Sequence, residues 1–139
     1  MIKELISDAE IMSTYDVMKQ LRPHVPINDY LDKVKRQQEK HNYHLVAAIE
    51  DGIVRCVAGY RITEALAWGR FLYVDDLITD ASERSKNYGQ QIMEWLLQAA
   101  RNDKCEQLHL DSGVQRHAAH RFYLRERMDI TCYHFSMMV

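Results

Sequence analysis

The chain has 139 residues, a length that suits one domain with a real hydrophobic core. Its 47% hydrophobic and 27% charged residues are ordinary for a globular protein, and a formal net charge of −2 excludes a global basic field that would draw nucleic acid. No apolar run approaches a membrane span, Met1-Ile2-Lys3-Glu4-Leu5 lacks the order of a signal peptide, and Cys56, Cys105 and Cys132 form neither a disulfide framework nor a zinc pattern, so reduced thiols in a cytoplasm are expected.

Ile2 to Ile6 is a short apolar-rich run that reads as a first strand. Ser7-Asp8-Ala9-Glu10 has capping-box spacing and predicts a helix start. Ile11, Tyr15, Met18 and Leu21 give that helix one apolar face, and Arg22-Pro23-His24-Val25-Pro26 ends it. A second helix is expected from about Asn28 to Lys40, with a charged and solvated outer face. Tyr43 to Glu50 reads as a strand, Asp51-Gly52 as a two-residue hairpin turn, and Ile53 to Thr63 as the return strand. The loop Glu64 to Gly69 leads to Phe71-Leu72-Tyr73-Val74-Asp75-Asp76-Leu77-Ile78-Thr79, a largely buried strand with two carboxylates near its middle. Buried carboxylates are costly, so their placement needs a reason. The loop Asp80 to Asn87 precedes a strong helix, in which Ile92, Trp95, Leu96 and Ala99 follow i, i+3, i+4, i+7. Gln107 to Asp111 is a short strand, Ala118 to Glu126 a further helix, and Ile130 to Met137 a closing strand. The expected architecture is a single α/β domain over residues 1–139: one mixed, mainly antiparallel sheet with helices on both faces, in the order strand, two helices, three strands, helix, strand, helix, strand.

Arg84-Ser85-Lys86-Asn87-Tyr88-Gly89 lies where a loop opens a helix. A helix N-terminus offers unpaired N–H groups and a partial positive charge, which suit phosphate oxygens. Arg84 and Lys86 add charge, Gly89 allows close backbone approach, and Asn87 tolerates a positive φ. Taken locally, such a pattern is usually just a solvated basic turn.

The stretch Leu77 to Gly89 resembles motif A of the GNAT superfamily of N-acetyltransferases, whose Arg/Gln-x-x-Gly-x-Gly/Ala loop follows the fourth strand and wraps the coenzyme A pyrophosphate. Arg84 matches the first position and Gly89 the last, Asn87 replaces the middle glycine, and Ser85 stands where many members have another. Leu110 to Tyr123 is similar to the family's fifth strand and following helix, with Arg116 where asparagine is frequent and Arg127-Met128 in place of a common Gly-Phe.

The resemblance implies direct acyl transfer from acetyl-CoA, as co-substrate, to the primary amine of a small-molecule or peptide acceptor within a ternary complex. It implies that the backbone of Leu77, Ile78 and Thr79 pairs with the pantetheine arm, with an N–H there for the oxyanion, and that residues 84–90 (Arg84, Ser85, Lys86, Asn87, Tyr88, Gly89, Gln90) hold the phosphates. Asp75 and Asp76 are the candidates for the base that deprotonates the amine. Strand alternation puts them on opposite faces, so only one faces the acceptor cleft, with Asp76 favoured unless a bulge undoes the parity. Tyr123 is the candidate acid for the leaving thiolate.

Structural readings stand beside these. Either aspartate can be a cap or an ion-pair partner, and Tyr123 beside Phe122 can be core. His109, His117 and His120 have no carboxylate or cysteine completing a ligand set, so no metal is expected. Cys105 precedes a strand rather than lying in a cleft motif, which argues against a covalent cysteine mechanism. The competing function is a non-catalytic acyl-CoA-binding sensor or interaction module, which needs the loop but neither the carboxylate nor Tyr123. Neither nucleic acid nor membrane is expected as a partner, and a homodimer stays open because dimers are common in the family.

Overall fold

A computed structural model describes residues 1–139. The elements in chain order are β1 (Ile2–Glu4), α1 (Asp8–Met12), α2 (Tyr15–Leu21), α3 (Ile27–Lys40), β2 (Tyr43–Glu50), β3 (Ile53–Ala65), β4 (Gly69–Thr79), a 3₁₀ turn (Ala81–Glu83), α4 (Tyr88–Asn102), β5 (Gln107–Leu110) and α5 (His117–Arg125). The five strands form one mixed sheet in the order β1-β2-β3-β4-β5, antiparallel from β1 through β4, with α4 as the crossover into β5. The chain divides into two compact units, Met1–His109 and Leu110–Val139.

In the first unit the alternation of each strand sorts the core into two layers. Tyr43, Leu45 and Ala47 of β2 and Val57 of β3 pack with Ile11, Val17, Met18, Tyr30 and Val34 from α1–α3. Their neighbours Val46, Cys56, Ala58 and Tyr60 point to the other face, where Tyr60 meets Trp95 of α4 edge-on. There α4 buries Ile92, Met93 and Leu96, each burial contributing about 1.5–3 kcal/mol. Helices therefore cover both faces, as the pattern predicts.

The helix expected to run from Ser7 to Leu21 is two helices. The capping box is present: Ser7 Oγ accepts from the Glu10 N–H, and the Glu10 carboxylate accepts from the Ser7 N–H. The break comes at Ser13 and Thr14, whose hydroxyls donate to the carbonyls of Glu10 and Ile11 at 2.6 Å and compete with the helical ladder. Thr14 is fully buried, and its hydroxyl also lies 2.7 Å from that of Tyr30. The hairpin turn forms as expected, with Asp51 and Gly52 both left-handed at φ 54° and 73°.

In the second unit α5 follows a turn in which His120 Nε2 lies 2.7 Å from the Gly113 carbonyl. The closing strand expected over Ile130 to Met137 does not form, and Tyr133, Phe135 and Met137 are exposed there. A strand is held by a partner's hydrogen-bond ladder, and residues 130–137 make no backbone hydrogen bond to one. No helix of the chain is long and apolar enough to cross a membrane.

Candidate active site

The site is organised by β4. Its register against β3 pairs Gly59 with Asp76 and Tyr60 with Val74, so Asp75 is the extra residue of a bulge. The bulge reverses the parity that simple alternation gives. Asp75 and Asp76 both line one cleft of about 740 Å³ on the α2–α3 side, together with Tyr73 and Phe71 of the same strand. The expectation that only one carboxylate faces the cleft is thus corrected: the inserted residue turns the second side chain to the same side.

Each carboxylate has its own guanidinium. Arg22, at the C-terminal cap of α2, donates from Nε to Asp76 at 2.8 Å and from Nη2 to the Asp75 carbonyl at 2.9 Å. Arg61 of β3 donates to the Asp75 carboxylate at 2.8 Å and to Gln37 at 2.7 Å. Asp76 also accepts from the Tyr43 hydroxyl at 2.9 Å. That bond requires Gly59, because a Cβ there would lie 1.9 Å from the Tyr43 oxygen. Burial pushes the Asp75 carboxyl above the usual range, against the pull of Arg61. Burial, reinforced by the charge of Asp76, holds Tyr43 well above an ordinary phenol and raises Tyr30 to about 12, so both stay protonated as donors.

Beyond the carboxylates β4 continues through Leu77, Ile78 and Thr79, paired on one side with Ala58, Val57 and Cys56. On its other side β5 has four residues against eleven in β4 and starts beside Arg70, whose carbonyl accepts from the Glu106 N–H at 2.7 Å. A strand of that length ends near Val74, so it leaves the backbone edge of residues 77–79 unpaired by β5.

The loop that follows is built for close approach. Ser85 and Asn87 are left-handed, at φ 81° and 64°, where glycines are common. Gly89 itself is helical and lies in the first turn of α4. That turn has no side-chain cap and no acidic residue, which leaves its N–H groups and partial positive charge uncompensated. Arg84 is exposed and has no ion-pair or hydrogen-bond partner, and Gln90 is also exposed. Lys86 is instead drawn 2.6 Å to Glu83, a buried carboxylate that also accepts from Arg55 at 2.8 Å. Tyr88 is anchored by a short hydrogen bond to Glu50. These features fit an anionic group that approaches Arg84 and the amides of α4.

Tyr123 lies on α5, half-buried, with its ring 5.4 Å from that of Phe122. Cys56 is buried and its thiol is pushed up to about 11 by burial, which leaves no thiolate for covalent chemistry. No group of three or more His, Cys, Asp or Glu is placed to hold a metal. His109 stacks on Trp68 with centroids 3.8 Å apart, and the rings of His117 and His120 lie 6.0 Å apart. Arg22, Arg61 and Tyr43 were not legible as site residues: each comes from a different element, and the packing of α2 on β4 and the registers of β2 on β3 and β3 on β4 bring them to Asp75 and Asp76.

Residues 9–128 match the model of the acetyltransferase (GNAT) family. The chain belongs to the GNAT family of acetyltransferases. It is 34% identical over 122 residues to the uncharacterized N-acetyltransferase YhdJ of Bacillus subtilis (strain 168), a match covering 88% of this chain and 86% of the relative. Among solved structures, the aminoglycoside N-acetyltransferase AAC(6')-Iy in complex with CoA superposes with a TM-score of 0.87 at 13% identity, over 100% of this chain and 93% of that one. An acetyltransferase of Trypanosoma brucei gives 0.83 at 15% identity, over 100% and 99%. At those identities the structural matches establish the fold, while the family match makes this GNAT chain an acyl-CoA-dependent acetyltransferase.

Proposed function

We propose that this enzyme transfers an acetyl group from acetyl-CoA to a primary amine by direct attack in a ternary complex. The observation that carries the reading is the single run from Asp75 to Gly89. It takes two carboxylates in a cleft, an unpaired strand edge and an uncapped helix N-terminus in succession. In this reading Arg84 and the amides of residues 88–90 hold the pyrophosphate, with Ser85 and Asn87 shaping the turn. The open edge of Leu77, Ile78 and Thr79 aligns the pantetheine arm, and an N–H there stabilises the developing oxyanion.

Asp75 takes the amine proton, directly or through one water. Its raised pKa brings it nearer the operating pH than an ordinary aspartate, which suits a general base. Asp76, tied to Arg22 and Tyr43, positions the strand and the guanidinium beside it. Tyr123 returns a proton to the leaving thiolate, the role that the family resemblance gives it. The family match runs across the boundary between the two units, which supports reading residues 1–139 as one acetyltransferase domain.

Calorimetric titration with acetyl-CoA, with phosphate and ATP as controls, followed by thiol release with a panel of amines, tests the proposal. Binding without release for any amine would favour a sensor or interaction module, and no binding at millimolar acetyl-CoA would remove the donor assignment.

A further inference from the structure

The charges around the cleft discriminate among amines. Two carboxylates line it, and both are committed to guanidinium groups at 2.8 Å. Three cations line it as well: Arg22, Arg61 and Lys33. Lys33 differs from the two arginines in having no partner. On α3 the residues Tyr30, Lys33, Val34 and Gln37 form an i, i+3, i+4, i+7 stripe along the cleft, so Lys33 belongs to its wall. Asp29, one turn earlier, makes no ion pair with it, and no other carboxylate does. His24 is exposed at the same cleft. Apart from Thr63, the remaining wall is apolar and aromatic, with Met18, Val25, Trp68, Phe71 and Tyr73.

Such a cleft has no unpaired carboxylate for a second ammonium group, and its one uncommitted charge is positive. From this, resting on the acetyl-transfer reading, we infer that the acceptor is a primary amine carrying a carboxylate and an apolar or aromatic body, of the amino acid or short peptide class. The amine faces Asp75, the body lies along the aromatic wall, and the carboxylate pairs with Lys33. Oligocationic amines are disfavoured, because a further positive charge meets Lys33 with nothing to offset it.

The test compares acceptors that differ at the carboxyl group, and the glycyl-phenylalanine pair, whose amine lies far from that group and keeps nearly the same basicity, decides the turnover comparison. Thiol release from acetyl-CoA is measured with L-phenylalanine and its amide, with glycyl-phenylalanine and its amide, with phenethylamine and with spermidine. Free acids should exceed their amides in kcat/KM by up to about fivefold, the upper range for one exposed charge pair such as Lys33 would make. Lys33→Glu should reverse that ratio and Lys33→Arg should retain it. Binding of each acid and amide to the CoA-saturated protein is measured by calorimetry in parallel. Failure of the acetyl-transfer reading then shows itself as absent acetyl-CoA binding or absent release with every amine, while the binding ratio still decides the anion preference. Equal binding and turnover of acid and amide, a ratio indifferent to Lys33→Glu, or spermidine as the best acceptor would each overturn the inference.

Discussion

Gly59→Ala probes the joint between the β-bulge and the cleft. The added Cβ would lie 1.9 Å from the Tyr43 oxygen and 2.4 and 2.5 Å from Cζ and Cε2, so the ring must move by about 1.5 Å to reach ordinary contact. Tyr43 is buried, though its ring borders the cleft, and overpacking of this kind costs about 1–3 kcal/mol. The displaced ring also loses its hydrogen bond to the Asp76 carboxylate, a bond to a charged group worth about 1.5–3 kcal/mol. The combined loss of about 2.5–6 kcal/mol corresponds to a fall in Tm of roughly 8–20 °C for a chain of this size. Denaturant unfolding of Gly59→Ala, Tyr43→Ala and the double variant measures it as a cycle. If the clash is the cause, the double variant is no less stable than Tyr43→Ala alone. Additive costs, or a Gly59→Ala loss below about 0.5 kcal/mol, would refute the reasoning.

The acid limb of kcat/KM should report Asp75. As the base it must be ionised, so the rate rises with pH through a pKa above that of a free aspartate, and Asp75→Asn should abolish both that limb and most of the activity. The same upward shift means the protonated form is favoured in the fold, so its stability contribution is full below the ordinary aspartate pKa and fades as pH rises through the folded one. Arg84→Ala should weaken acetyl-CoA binding by about tenfold, with a shallower salt dependence, as measured by calorimetry at two ionic strengths. Tyr123→Phe should lower turnover at neutral pH and leave acetyl-CoA affinity nearly unchanged; equal turnover would take Tyr123 out of the chemistry. Glu10 is held down to about 2 by its hydrogen bonds to Lys3 and to the Ile6 and Ser7 amides, so its stabilisation is present above pH 4.5 and lost as pH falls toward 2. Thermal melts of Glu10→Gln and the parent chain should differ at pH 7 and converge near pH 2.

Much of this molecule is written in local pattern. Apolar spacing, the Ser7–Glu10 box and Asp51-Gly52 determine most elements within a residue or two, because each depends on neighbours close in sequence. The loop proposed to hold the pyrophosphate is legible for the same reason, since Arg84, Asn87 and the first turn of α4 form one continuous segment. Local pattern misleads where distant partners decide. The hydroxyls of Ser13 and Thr14 divide a helix that periodicity joins, with Tyr30 supplying a partner for the buried Thr14. Ile130 to Met137 alternates like a strand but forms none, because alternation does not provide a ladder partner. The placement of Asp75 and Asp76 is the clearest case. The sequence by itself determines that two carboxylates stand in one strand, but their shared orientation depends on a bulge opposite Gly59 and Tyr60. Only the tertiary structure brings Arg22, Tyr43 and Arg61 to them, from positions 54, 33 and 14 residues away in the chain. The cleft's charge, and with it the class of amine proposed for it, is a property of that assembly.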